Sequence, residues 1–209
     1  MKNYKLHLIR HGLTEGNLKG LYVGSGTDLP LCPEGAEHLE DLAARFSYPE
    51  VDTVFTSPLK RCTETVQILF PKAKHILEIR DLREAHFGEF EGRDVKELVH
   101  DEHYEQWITP GSGYTPEGGE SNGDFNARCE QTLLRMFEYM IKAEITEAAC
   151  VTHGGVIMSM LSQRALPTRT PDQWICDPGC GYTVQTNIQF WMRDGIVEAI
   201  AVQPEGYLD

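Results

Sequence analysis

Positive charge is scarce in this sequence. Lysine and arginine together number 19 against 32 aspartates and glutamates, a formal net charge of −13 over 209 residues. A field of that sign repels a phosphate backbone, so nucleic acid is not an expected partner, and any anion that binds must find a locally basic pocket. Long apolar runs are missing too: hydrophobic stretches break within a few residues and the mean hydropathy is −0.36, which speaks against a membrane-spanning helix and a membrane partner. The start, Met1-Lys2-Asn3-Tyr4, has neither the apolar core nor the small-residue cleavage site of a secretory signal, so a cytoplasmic location is expected. None of the six cysteines belongs to a Cys-x-x-Cys pair; reduced thiols are therefore expected rather than disulfides. Low-complexity stretches and internal repeats are absent, which excludes linkers and solenoids.

What is present reads as alternating strand and helix. Hydrophobic residues make up 41% of the chain and charged residues 24%, the balance of one globular domain spanning 1–209. Lys5–Ile9 predicts a buried strand ending at Arg10-His11. Pro33 opens a helix carried by Ala36, Leu39, Leu42, Ala43 and Phe46. Val51–Thr56 predicts a second strand, and Ser57-Pro58 an N-cap and first helical position for a helix reaching about Phe70. Lys74–Ile79 predicts a third strand. Residues 80–121, rich in Gly, Pro, Glu and His, predict an inserted lid region with one short helix near Asp94–His100. Phe125, Cys129, Leu133, Met136, Phe137 and Met140 mark a long helix, followed by a strand at Ala148–Thr152 and a helix at Gly155–Ala165. Tyr182–Met192 alternates as a strand, turns at Asp194-Gly195 and returns through Ile196–Val202 as a hairpin. The fold class predicted is α/β: a three-layer α/β/α arrangement on a mostly parallel mixed sheet with an antiparallel edge hairpin.

In open α/β sheets ligands bind beyond the carboxyl ends of strands. Two histidines fall there, each beside glycine: His11 in Arg10-His11-Gly12 and His153 in Thr152-His153-Gly154-Gly155. A metal site is disfavoured, since the sequence has no His-x-His and no His-Glu-x-x-His, and Arg10 next to His11 repels a divalent cation. His100-Asp101-Glu102-His103 is the one ligand-like cluster, and it reads as a solvated helix face. An arginine beside a histidine suits phosphate, whose oxygens the guanidinium fork matches. Arg61, in the first turn of a helix just past another strand end, adds charge of the same kind. His7, His38, His75 and His103 read as structural or exposed.

The run Leu8-Ile9-Arg10-His11-Gly12-Leu13-Thr14-Glu15-Gly16-Asn17 resembles the signature of the histidine phosphatase (phosphoglycerate mutase-like) superfamily. So do, in order, Thr56–Thr65, Leu82–Gly92, Pro116–Ser121 and Val151–Gly155, which together span nearly the whole chain. The resemblance implies that His11 is the nucleophile, forming a phosphohistidine, and that Arg10, Arg61, His153, Asn17 and Gly154 surround the phosphate. Glu84 matches the proton donor to the leaving group, in preference to Glu91. His86, two residues on, is a candidate contact for the leaving group, and Tyr104, Trp107 and Tyr114 form either a lid or the small core of the insertion.

Within that superfamily the mutases carry a longer insertion with an adjacent arginine pair. Here the basic residues between Gly92 and Glu120 are Arg93 and Lys96, with no such pair. The Leu21–Leu31 segment and Gly118-Gly119-Glu120-Ser121 resemble the phosphatase branch that includes α-ribazole phosphatases, with Gly26 as an extra residue. The expectation is thus a cytoplasmic hydrolase of small-molecule phosphate esters, α-ribazole phosphate or sugar phosphates among them, needing no cofactor and no metal. A phosphoglycerate mutase and a non-catalytic phospho-ligand binding module are the alternatives. A homo-oligomer is compatible with the sequence.

Overall fold

A computed structural model of the chain describes residues 2–109 and 111–207. In chain order the elements are β1 (Asn3–Arg10), α1 (Glu15–Leu18), α2 (Pro33–Arg45), β2 (Thr53–Thr56), α3 (Lys60–Leu69), β3 (His75–Glu78), α4 (Val95–Leu98), α5 (Glu102–Ile108), α6 (Asn122–Lys142), β4 (Glu147–Thr152), α7 (Gly154–Arg164), β5 (Ala165–Leu166), β6 (Gly181–Asn187), α8 (Ile188–Asp194) and β7 (Val197–Gln203). The strands form one sheet in the order β3-β2-β4-β1-β6-β7-β5. The pairs β3/β2, β2/β4, β4/β1 and β7/β5 are parallel; β1/β6 and β6/β7 are antiparallel.

Two-residue periodicity of the central strands separates the two faces. Leu6, Leu8, Phe55, Ala148 and Cys150 pack under α6 and α7 through Leu133, Met136, Phe137, Ile157 and Met160. Ile9, Val54, Ala149 and Val151 point to the other side, against Leu39 of α2 and Cys62, Val66 and Leu69 of α3. Both faces are covered, which is why these strands read as continuous apolar runs. Leu8 pairs with Cys150 and Arg10 with Thr152. That register brings the ends of β1 and β4 side by side, with the His11 amide donating to the Thr152 carbonyl at 2.9 Å.

The structure corrects several details of the sequence reading. Ser57 does not cap α3: the helix begins at Lys60 with Leu59 at its N-cap, and the Lys60 amide donates to Asp28 Oδ1 at 2.8 Å. Residues 188–194 are helix, not strand. Asn187 Oδ1 accepts the amides of Gln189 and Phe190 and so starts α8, which closes on a left-handed Gly195. Alternation misled there because Ile188, Phe190 and Met192 are exposed while Trp191 is buried. The antiparallel pair β6/β7 is real, but a helix rather than a tight turn joins its strands, and β5 rather than β7 lies at the sheet edge. Among its described residues the 80–121 segment holds two α-helices instead of one, the second capped by Asp101, together with short 3-10 turns at Arg80–Leu82 and Gly88–Phe90. Phe90, Leu98 and Tyr104 are buried there with Tyr22, Phe87, Trp107 and Tyr114 packed around them, so these aromatics form a small core and not a loose cover.

Candidate active site

The carboxyl ends of β1, β2 and β4 converge on two imidazoles whose ring centroids are 5.1 Å apart. His11 leaves β1 with its side chain buried, and its Nδ1 lies 2.6 Å from the Gly12 carbonyl. A carbonyl oxygen can only accept, so Nδ1 carries the proton and Nε2 keeps its lone pair. Burial first, and then the charges of Arg61 and Arg10, hold His11 well below the usual imidazole range, against the pull of the Gly12 carbonyl. The ring is neutral near pH 7, as a nucleophile must be.

The second imidazole is fixed in the opposite tautomer. Arg61 Nε donates to His153 Nδ1 at 3.3 Å, which makes Nδ1 the acceptor; Nε2–H then donates to Ser57 Oγ at 2.9 Å. Burial, followed by Arg61 and His11, depresses the His153 pKa well below its ordinary value. Ser57, read from sequence as a helix cap, is therefore the side chain that orients His153. Arg61 is fully buried and also donates to the carbonyls of Thr27 at 2.9 Å and Gly24 at 3.1 Å. The Cys62 sulfur lies 3.5 Å from His153 Nε2, but burial pushes its thiol up to about 12, so it is no competing nucleophile.

Arg10 Nη1 donates to the Cys176 carbonyl at 2.8 Å, while its Nε–H is buried without a protein partner. An orphaned buried guanidinium donor is costly, and an anion would satisfy it. The guanidinium lies over Gly154, 3.5 Å from where a β-carbon at that residue would sit. Glu84 completes the group on the first turn of α7. Its Oε2 accepts the Gly155 amide at 3.0 Å and its Oε1 the Ala85 amide at 2.9 Å. Burial raises its pKa and outweighs the opposing pull of those two amides, Arg61 and Arg10. Gly155 is obligatory for this contact: a β-carbon there would stand 2.5 Å from Glu84 Oε1.

Two expected residues are placed less directly. Asn17 belongs to a capping box on α1, its Oδ1 accepting from the Thr14 amide at 3.0 Å and hydroxyl at 2.9 Å; this leaves only its amide nitrogen for a ligand. His86 Nδ1 accepts the Gly88 amide at 3.1 Å, and its Nε2 faces Gly26. Glu91, the weaker candidate for the acid, is a loop tie instead: its carboxylate accepts from Gly24, Gly26, Thr27 and Phe87.

Sequence reasoning missed Arg128. Its Nε and Nη2 grip the Glu120 carboxylate at 2.6 and 2.7 Å, and its Nη groups hold the carbonyls of Asp81, Arg83 and Glu84 at 2.8, 2.7 and 3.1 Å. A fork that fixes the acid's own backbone is invisible to periodicity, because Arg128 reads only as a polar residue on a long helix. The sole hint was the neighbouring Gly119-Glu120-Ser121 block.

Among the described residues, no group of three or more His, Cys, Asp and Glu side chains could hold a metal ion, and no helix is long and apolar enough to cross a membrane. A groove of about 1100 Å³ opens at the far, amino-terminal end of the parallel strands, between Asp52, Lys74, His75 and Glu147. It pairs lysines with carboxylates and contains none of the residues above.

Residues 6–192 match the sequence profile of the histidine phosphatase superfamily (branch 1). The adenosylcobalamin/α-ribazole phosphatase of Escherichia coli K12 is 28% identical over 190 residues, covering 89% of this chain and 92% of that protein. Phosphoglycerate mutase-like protein 4 of Arabidopsis thaliana is 34% identical over 167 residues, or 77% of this chain and 70% of its own length. The α-ribazole phosphatase structure from Shigella flexneri superposes with a TM-score of 0.76 at 26% identity, covering 95% of each chain.

Proposed function

The chain belongs to the histidine phosphatase superfamily, branch 1; from that premise we propose that it is a phosphatase, hydrolysing small-molecule phosphate esters through a phosphohistidine on His11. The observation that carries this reading is the His11 tautomer. Nδ1–H is tied to the Gly12 carbonyl, so a neutral Nε2 with a free lone pair sits among Arg10, Arg61 and His153. A phosphate dianion bound there satisfies the orphaned Arg10 Nε–H, with Asn17 and the Gly154 turn completing the cradle.

Phosphoryl transfer asks little covalent work of the protein beyond an in-line nucleophile and neutralised charge. His11 Nε2 attacks phosphorus as the ester P–O bond breaks, and Glu84, whose pKa burial raises, gives its proton to the leaving oxygen. The carboxylate so formed takes a proton from water, whose oxygen attacks the phosphohistidine. The P–N bond breaks, inorganic phosphate leaves, and both groups return to their starting states. No step calls for a metal or an organic cofactor.

We take the chain as one catalytic domain acting in the cytoplasm, where its six cysteines remain thiols, with residues 80–121 as the insertion that shapes the leaving-group side. Hydrolysis is favoured over mutase chemistry because no adjacent arginine pair lies between Gly92 and Glu120, and Arg93 there is paired with Asp101 at 2.8 Å. Candidate substrates are α-ribazole phosphate, after which the Escherichia coli and Shigella flexneri relatives are named, and sugar phosphates. Turnover of p-nitrophenyl phosphate by the wild type and by His11→Ala tests the reading, and a panel of phosphorylated metabolites ranked by kcat/KM identifies the substrate. Undiminished activity in His11→Ala removes His11 from the role. Phosphate affinity without any turnover would favour a binding module, and primed exchange between 2- and 3-phosphoglycerate a mutase.

A further inference from the structure

The loop from Gly24 to Thr27 is held from two sides by opposite charges acting on the same residues. Glu91 Oε2 accepts the Gly24 amide at 3.0 Å and the Thr27 hydroxyl at 2.7 Å; its Oε1 accepts the amides of Gly26 and Phe87, each at 3.1 Å. From the other side Arg61 Nη2 donates to the Gly24 carbonyl and Nη1 to the Thr27 carbonyl. Gly24 and Thr27 thus give to Glu91 and take from Arg61. The loop is fixed further by the Ser25 amide on the Ala85 carbonyl at 3.0 Å and by Asp28 on the first turn of α3. A β-carbon at Gly24 would collide with the Ala85 carbonyl, so only glycine lets the loop pack this closely.

We propose that Glu91 is a positioning residue for phosphoryl transfer: it holds the 24–27 loop so that the carbonyls of Gly24 and Thr27 aim the Arg61 guanidinium at the phosphate. The inference rests on the phosphatase reading above. Arginine has a long, rotamer-rich side chain, and its fork is useful in catalysis only when its orientation is settled before substrate arrives. Nε is set by His153; the two terminal nitrogens are set by the carbonyls of Gly24 and Thr27, the two residues of the loop whose own donors Glu91 holds. All four groups facing Glu91 are donors. A glutamine can accept from two of them at most; the Thr27 hydroxyl can turn to accept, but whichever way the amide lies its NH2 faces at least one backbone N–H, so it is a poor substitute for the carboxylate.

The test compares wild type, Glu91→Gln, Thr27→Val and the two substitutions combined; Thr27→Val removes one of the four donors and keeps the shape. Turnover of p-nitrophenyl phosphate gives kcat and KM, titration calorimetry gives the affinity for inorganic phosphate, and thermal unfolding reports the fold. Glu91→Gln is expected to lower kcat/KM by roughly 10²-fold, the scale of a small misplacement of a catalytic group, and to weaken phosphate binding with its unfolding transition retained. Thr27→Val is expected to give a smaller loss in the same direction, and none when added to Glu91→Gln, since both act through one loop. Wild-type kcat/KM and phosphate affinity in Glu91→Gln overturn the proposal, as do losses from the two substitutions that simply multiply. Should Glu91→Gln fail to fold, Thr27→Val alone decides: unchanged kcat/KM and phosphate affinity overturn the proposal. A wild type that binds phosphate but turns over no ester defeats the phosphatase reading alone, because the affinity comparison still tests Glu91. A wild type that binds no phosphate defeats both.

Discussion

The Glu84 carboxylate rests on the Gly155 amide at a distance of 3.0 Å, so the proton donor is seated by the same turn that carries His153. A side chain at 155 would occupy the space of the carboxylate. Gly155→Ala is therefore expected to displace Glu84 and lower kcat/KM, which reports the transfer to His11 and not the later hydrolysis, by about 10²-fold on alkyl phosphates, within the range for losing general acid catalysis. On p-nitrophenyl phosphate, whose leaving group departs without a proton, the loss should be far smaller. Equal losses on both substrates would show that the substitution damages something other than the acid.

The pH dependence follows from two displaced groups. His11 must be neutral to attack, and burial with Arg61 and Arg10 holds its pKa well below the usual value, so the acid limb of kcat/KM lies well under neutrality. Glu84 must be protonated to donate, and burial raises its pKa, so activity falls again as pH rises through that elevated value. The profile on an alkyl phosphate should be a bell, its acid limb set by His11 and its alkaline limb by Glu84. In Glu84→Gln, measured on the same substrate so that substrate ionisation cancels, the alkaline limb should vanish while the acid limb stays.

Arg128 holds the backbone carbonyls of Asp81, Arg83 and Glu84 through a planar fork that lysine cannot reproduce. Arg128→Lys should lower kcat and kcat/KM together by about tenfold or more, the signature of an interaction realised in the transition state. A rise in KM with kcat unchanged would instead make it a substrate-binding residue.

Ser57 receives the proton of a fully buried imidazole nitrogen. Ser57→Ala leaves that N–H only the weak sulfur acceptor of Cys62 at 3.5 Å, at a cost of about 1–3 kcal/mol. For a chain of this size the unfolding temperature should drop by roughly 2–4 °C for each kcal/mol. Calorimetric unfolding checks it, and an unchanged transition would mean that His153 finds another partner.

Much of this architecture was legible from local patterns. Leu6, Leu8 and Ile9 betray a strand buried on both faces, and Leu133, Met136, Phe137 and Met140 betray the core side of α6, because burial imposes a period. His11 and His153 stood out because glycine follows each at a strand end. What escaped depended on partners distant in sequence. Residues 188–192 alternate like a strand, yet the Asn187 side chain decides for helix. Ser57-Pro58 has the letters of a cap, but Ser57 is claimed by a histidine 96 positions away. Arg128 and Glu91 act through backbone groups of other segments, contacts that leave no periodic trace.

The central claim is a covalent P–N bond at His11, and it can be observed directly. The wild type, mixed rapidly with a radiolabelled phosphate ester and quenched in alkali, should carry label on protein that is stable to base and released by acid, as a phosphohistidine is, and peptide mapping should place it on His11. His11→Ala should carry none. Label on another residue, or full turnover with no labelled protein at any quench time, would contradict the account.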